Sequence, residues 1–260
     1  KKDFTIYDSY DQKSLMKQVT KELDIDEKDI TAKEIIGAVS NAKNPLISPA
    51  SFKKQNEYHF RNNKIADAYV LYQKKLKQNN ALDFDDLIMK TVELYEKHPD
   101  VLEKYRQKFR YVLVDEYQDT NHAQYKLIYL LTKEHQNLCV VGDDDQSIYQ
   151  FRGADIRNIL DFEKDFPKAK VVKLEKNYRS MGNILNAANA VIKYNTERKE
   201  KTLKKTKDEG AKIKEYRAYN EGDEASFVTR EMERQFREGR RYKELAVLYR
   251  TNAQSRKFEE

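Results

Sequence analysis

Two hydrophobic rhythms divide the chain. Up to about Phe109 the apolar positions recur at helical intervals: Ile65, Tyr69, Tyr72 and Leu76 step by four, three and four and share one helix face. Thr31 and Glu34 stand ahead of Ile35, Ile36 and Val39 at the spacing of a capping box, which predicts a helix start. Asn44-Pro45 and Ser48-Pro49 interrupt the pattern and predict a loop. From Arg110 the rhythm becomes one of short continuous apolar runs, at 111–114, 138–141, 171–174 and 245–249, each bounded by polar turns. Helical stretches at 122–134, 156–162 and 184–193 alternate with them. Buried strands alternating with helices predict a parallel α/β sheet. Cys139, inside the second run, is expected to be a buried strand residue, and residues 4–7 read as a further strand.

Composition narrows the class. The apolar runs, such as 127–131, fall far short of the ~20 residues a membrane span needs. Eighteen Tyr and 11 Phe can anchor a core, which argues against disorder. A single Cys forms no internal disulfide and suits a reducing, cytoplasmic compartment. The formal net charge is +6 over 260 residues, a length for one large or two modest domains. From Lys176 onward 21 basic residues face 14 acidic ones, a net of +7, while the first 175 residues carry −1. The densest basic run, 198–207, reads as a solvated linker or hairpin in preference to a phosphate-contacting patch. His59, His98, His122 and His135 show no metal-ligand spacing, and none of the seven glycines begins a Gly-Lys-Ser/Thr phosphate loop. The chain opens on Lys1 without Met and stops at Glu260 within a helix-like stretch. It is therefore read as a segment of a longer protein.

Three clusters carry candidate chemistry. Asp115 and Glu116 follow the run 111–114, and ligands of open α/β sheets bind beyond the carboxyl ends of strands. Asp115 can hold Mg²⁺, a hard cation that takes oxygen ligands, and Glu116 can orient or deprotonate a water attacking a phosphoryl group. The alternative is a polar turn whose acids cap the helix starting near Asn121. The run 138–141 ends in a second acidic turn, Gly142-Asp143-Asp144-Asp145-Gln146, where Gln146 can sense a phosphate or a bound water. Tyr149, Phe151 and Arg152 follow; they suit stacking on nucleic-acid bases, or else the two rings are packing residues two apart on a strand. In the third cluster, Asn177-Tyr178-Arg179-Ser180, the Arg can reach a γ-phosphate and the Tyr can stack on a base. A surface ion pair and a helix cap are the alternatives there.

The stretches LDFDDLI at 82–88, VDEYQDTN at 114–121, VGDDDQSIYQFRGADI at 141–156, LEKNYRS at 174–180 and LAVLYRTNAQSR at 245–256, in this order, resemble the UvrD/Rep/PcrA type of superfamily 1A DNA helicases. That resemblance implies two RecA-like P-loop NTPase motor domains with ATP held between them. A strand at 1–10 and residues 81–176 would belong to the first motor domain, with an incomplete parallel sheet. Residues 11–80 would be an inserted helical accessory domain, and 177–260 the start of the second motor domain. It further implies that Asp115 binds Mg²⁺, Glu116 activates water, Gln146 and Arg179 contact the γ-phosphate and Tyr178 stacks on adenine. Tyr149, Phe151, Arg152, Arg250 and Asn252 would contact single-stranded DNA, with Phe151 where many relatives carry Trp.

The implied activity is ATP-dependent 3′ to 5′ translocation on single-stranded and forked DNA, in repair or replication and beside proteins of those pathways. This segment alone is expected to be inactive as an ATPase, because the phosphate loop is expected to precede Lys1. Two other readings remain open: a non-catalytic DNA-binding or partner-docking module of the same shape, or the helicase part of a helicase–nuclease. A palm-type polymerase is disfavoured, because 146–150 reads poorly as the apolar strand it requires.

Overall fold

A computed structural model describes residues 3–196 and 198–260; Lys1 and Lys2 of the expected 1–10 segment, and Glu197, lie outside the described residues. The chain forms two units, Lys1–Lys173 with Asn195–Lys201, and Leu174–Tyr194 with Thr202–Glu260.

In the first unit, β1 (Thr5–Tyr7) pairs in parallel with β2 (Ala81–Asp83), Thr5 facing Ala81. The connection between them is helical: α1 (Ser9–Glu22), α2 (Ala32–Lys43), α3 (Pro49–Gln55) and α4 (Phe60–Gln78). Asp8 opens α1 with a complete capping box closed by Asp11. Thr31 opens α2, its hydroxyl accepting the Glu34 N–H at 3.2 Å. The expected box is only half formed there, because Arg61 holds the Glu34 carboxylate at 2.6 Å. Ile65, Tyr69, Tyr72 and Leu76 are all buried, as their spacing predicts, against Leu15, Val19, Ile35 and Val39. Each such side chain contributes ~1.5–3 kcal/mol by leaving water.

The Asp83 carboxylate starts α5 (Phe84–Lys97) by accepting the Asp86 N–H at 2.8 Å. It also receives Lys43 Nζ at 2.6 Å and the Tyr72 hydroxyl at 3.1 Å. Lys43 has no exposed side-chain surface and lies 3.0 Å from Asp86, to which Gln73 also donates at 2.8 and 2.9 Å. After α6 (Pro99–Lys108), β3 (Val112–Val114) pairs in parallel with β4 (Leu138–Val140) across α7 (His122–Thr132). Asn121, not the acids before it, caps α7, in a reciprocal box with Gln124. The helix expected at 156–162 is two short pieces, α8 (Arg157–Leu160) and α9 (Phe162–Asp165).

The parallel pairing follows the expectation; the burial does not. Leu113 is 78% exposed and Cys139 opposite it is exposed, whereas their neighbours on each strand are half-buried. Side chains alternate across a sheet, and the face carrying Leu113 and Cys139 is uncovered among the described residues. Cys139 is thus a strand residue but not a buried one.

In the second unit, β5 (Lys176–Asn177) pairs in parallel with β6 (Lys204–Lys205), joined through α10 (Gly182–Ile192). α11 (Glu221–Arg237) and α12 (Ser255–Glu259) follow. The runs 171–174 and 245–249 form no strand. Ladder bonding begins only where the Lys204 N–H reaches the Glu175 carbonyl at 2.7 Å. At the other run, the Leu245 N–H closes a 3-10 turn on Tyr242 instead, and Leu248 is 95% exposed.

Lys43→Met keeps the aliphatic stem but leaves Asp83 and Asp86 buried without a countercharge. Stability to urea is expected to fall by ~3–5 kcal/mol; an unchanged unfolding midpoint would show that the ion cluster contributes nothing net.

Candidate nucleotide and nucleic-acid site

Beyond the C-terminal end of β3 the chain presents Asp115 and Glu116, both exposed. Asp115 accepts the N–H of Glu116 at 2.9 Å. Glu116 takes a left-handed backbone, φ 50° and ψ 42°, which a non-glycine residue holds only when its surroundings fix it. The surroundings do so. The next residue, Tyr117, is fully buried edge-to-face on Phe162, and its N–H reaches the Val141 carbonyl at 3.0 Å. Burial, with the nearby Asp165 charge, pushes the Tyr117 hydroxyl up to about 12. Gln118, also buried, donates to Glu116 at 2.8 Å and accepts the Asp143 N–H at 3.0 Å.

The hard oxygen donors of Asp115 and Glu116 suit Mg²⁺, which is commonly held by one or two carboxylates together with substrate phosphates. The described residues hold no cluster of three or more His, Cys, Asp or Glu arranged for a metal.

β4 ends in the second acidic turn. Asp143 caps a 3-10 turn (Asp144–Gln146) by accepting the Asp145 N–H at 3.0 Å, and it also accepts the Gln146 side-chain amide at 2.7 Å. Gln146 is exposed yet tethered. The segment Asn195–Lys201 returns to this turn. Arg198 grips Asp145 with two bonds of 2.7 Å, Lys201 reaches Asp143, Asp144 and Asp145, and the Lys199 N–H donates to Asp144 at 2.7 Å. The basic run is therefore no uniform solvated linker: Arg198 and Lys201 neutralise the acidic turn, while Lys204, Lys205 and Lys207 are exposed. Burial opposes the charge of Asp145, but Arg198 and Lys201 outweigh it and hold the carboxyl below its ordinary range.

Tyr149 and Phe151 do not sit on a strand. Tyr149 immediately precedes a 3-10 turn (Gln150–Arg152) and Phe151 lies within it, 76% exposed. The Arg152 guanidinium lies 5.1 Å from the Tyr149 ring centre and 5.5 Å from that of Phe151, an aromatic–cation cluster open to water. Asn44, immediately after α2, braces the loop: its amide donates to the Arg152 carbonyl at 3.4 Å and accepts from Asn121 at 2.9 Å. Gly153, at φ 89°, faces this amide; a Cβ there would come within 2.5 Å of Asn44 Nδ2.

The structure thus brings Asp115, Glu116, Gln146, Tyr149, Phe151 and Arg152 into the first unit. Tyr178, Arg179, Arg250 and Asn252 belong to the second, and all four are exposed. Asn177, ending β5, accepts the N–H groups of Arg179 and Ser180 at 3.0 and 2.8 Å, a local turn that presents Tyr178 and Arg179 outward. Asn252 begins a 3-10 turn (Asn252–Gln254) ahead of α12. Two supporting residues, Asn44 and Gln118, had no such role in the sequence reading, and two more, Arg198 and Lys201, were read there only as part of the basic run 198–207. Gln118 had a signal in its place inside VDEYQDTN, and Arg198 and Lys201 in the density of the basic run.

Residues 1–167 match the UvrD/REP helicase N-terminal domain, and residues 172–260 the UvrD-like helicase C-terminal domain. The chain belongs to the UvrD/REP helicase family. It is 54% identical over all 260 residues to a protein of Staphylococcus epidermidis named ATP-dependent DNA helicase PcrA, and 55% identical to the protein of that name from Staphylococcus aureus. The chain spans 35% of the length of these relatives. Its short parallel strand pairs and intervening helices are accordingly part of a RecA-like α/β fold.

The clasp on Asp145 gives a pH dependence with a definite sign. A carboxyl depressed in the folded state stabilises fully above the ordinary Asp range and loses that contribution as pH falls through its folded value. The thermal unfolding midpoint should therefore drop more steeply below about pH 4 in the wild type than in Asp145→Asn. Parallel pH curves would mean that the clasp does not stabilise the turn.

Proposed function

We propose that the protein to which this chain belongs is an ATP-dependent DNA helicase, moving 3′ to 5′ along single-stranded DNA and unwinding forked duplex, in the cytoplasm and in DNA repair or replication with proteins of those pathways. The observation that carries the reading is the exposed Tyr149–Phe151–Arg152 cluster, joined within one unit to the acids after β3 through Gln118 and the Asp143–Gln146 turn. A nucleic-acid grip and a phosphoryl-transfer edge then share one hydrogen-bonded framework. No helix among the described residues is long and apolar enough to cross a membrane.

In this reading Asp115 holds Mg²⁺, which when bound offsets the negative charge of the ATP phosphates. Glu116 orients and deprotonates the attacking water, and Gln146 contacts the γ-phosphate and registers its loss. Tyr178 stacks on the adenine, and Arg179 offers its guanidinium to the γ-phosphate as charge develops there. Tyr149, Phe151 and Arg152 hold bases of the single strand by stacking, with Arg250 and Asn252 as further DNA contacts. The proposed division is a first motor domain of 1–10 and 81–176, an accessory domain of 11–80 and a second motor domain from 177 to 260.

Phe151→Ala and Arg152→Ala should each weaken single-strand binding by about fivefold or more, since a stacked base contributes ~1–3 kcal/mol. Fluorescence anisotropy at fixed salt measures this, and equal affinity in wild type and variants would remove the loop from the DNA path. The 260-residue chain alone should not turn over ATP, because its sequence contains no Gly-Lys-Ser/Thr phosphate loop; DNA-stimulated phosphate release by the purified chain would overturn that.

A further inference from the structure

Gln118 occupies the joint between the two acidic turns, only 1% exposed. Its Nε2 donates to Glu116 Oε2 at 2.8 Å and to Asp119 at 3.3 Å, and its Oε1 accepts the Asp143 N–H at 3.0 Å. Its carbonyl accepts the Ser147 hydroxyl at 3.4 Å. The position demands a donor at one end and an acceptor at the other, which a primary amide supplies. A carboxylate there would face the Glu116 carboxylate, an ammonium would offer the Asp143 N–H no acceptor, and a thioether would satisfy neither partner well.

Two backbone features serve the same contact. Gly142 leaves room for the amide, since a Cβ on it would lie 2.7 Å from Gln118 Oε1 and from Ile159 Cδ1. Glu116 keeps its left-handed conformation directly between Asp115 and the buried Tyr117-Gln118 pair. Asp143, beyond the amide, holds Gln146 at 2.7 Å. The side chains and backbone therefore run Glu116, Gln118, Asp143, Gln146 without a break.

We infer that Gln118 is a positioning residue: it fixes the Glu116 carboxylate and makes that pose depend on the turn carrying Gln146 and, a few residues on, the aromatic loop. This rests on Glu116 acting on the hydrolytic water as proposed above. Displacement of the Asp143–Gln146 turn would then release Glu116 without either residue touching the other.

The test uses the full-length parent protein and two variants. Gln118→Met approximates the volume and removes the bridge; Gln118→Glu keeps an acceptor but sets a second negative charge against Glu116. In the first measurement, amide hydrogen exchange below the unfolding midpoints should show Asp143 losing protection in Gln118→Met. In the second, DNA-stimulated ATP turnover should fall about 10- to 100-fold in kcat, with KM for ATP and single-strand affinity unchanged, and further in Gln118→Glu. A merely structural role would instead lower the unfolding midpoint and leave kcat per folded molecule intact. Wild-type kcat in both variants, a raised KM with kcat retained, or an unaltered Asp143 amide would overturn the inference. If the wild-type parent turns over no ATP on DNA, the helicase reading falls, and the exchange measurement still decides whether Gln118 bridges the turns.

Discussion

A lysine ammonium sealed from water organises the first unit. Lys43 ends α2, Asp83 ends β2 and caps α5, Asp86 lies in the first turn of α5, and Tyr72 and Gln73 reach in from α4. Four elements thus meet on one charge. Removing these ions from water costs several kcal/mol each, and the close Lys43–Asp83 and Lys43–Asp86 contacts with the Tyr72 and Gln73 donors offset that cost, although Gln73 Oε1 is left without a partner among the described residues. The consequence extends past the cluster, because the residue after Lys43 is Asn44. With Lys43 pinned, Asn44 arrives where it bonds Asn121 at the start of α7 and the Arg152 carbonyl in the aromatic loop. The helical part of the unit is thereby coupled to the turn that presents Phe151, although no helical side chain of α1–α4 belongs to the candidate chemistry.

The candidate chemistry lies at the carboxyl ends of two parallel strands, where a RecA-like sheet exposes turns rather than ladders. The acids of these turns differ in their partners. Asp115 and Glu116 remain exposed, their carboxylates engaged by the Glu116 N–H and the Gln118 amide. Asp143, Asp144 and Asp145 are consumed by structure, tied to Arg198 and Lys201. Adjacent carboxylates with similar sequence surroundings thus separate into a pair left open and a trio tied into the structure, according to whether a cation reaches them.

The sequence was legible where a signal is local. The helical period of Ile65, Tyr69, Tyr72 and Leu76, the parallel strands before each acidic turn and the family motifs all survive in the folded chain. It misled where the outcome depends on a distant partner. Thr31 could not reveal that Arg61 would take Glu34 away from its box, nor could 198–207 reveal that Asp145 awaited it some fifty residues upstream. Apolar runs mark strands only if a neighbour pairs with them, so 171–174 and 245–249 read as strands and fold as open chain. Gln118 lay in plain view, but a lone amide gives no sign of its partners until two turns converge on it.

The return of Asn195–Lys201 to the first unit has a topological consequence. The polypeptide passes from one unit to the other three times, after Lys173, Tyr194 and Lys201. No single nick can part the two, and neither is a contiguous stretch of sequence. A chain ending at residue 173 would carry the Asp143–Asp145 trio with its countercharges deleted, so that mutual repulsion would loosen the very turn that bears Gln146. The obvious boundary for gene dissection therefore runs between the acidic turn and the two cations, Arg198 and Lys201, that neutralise it.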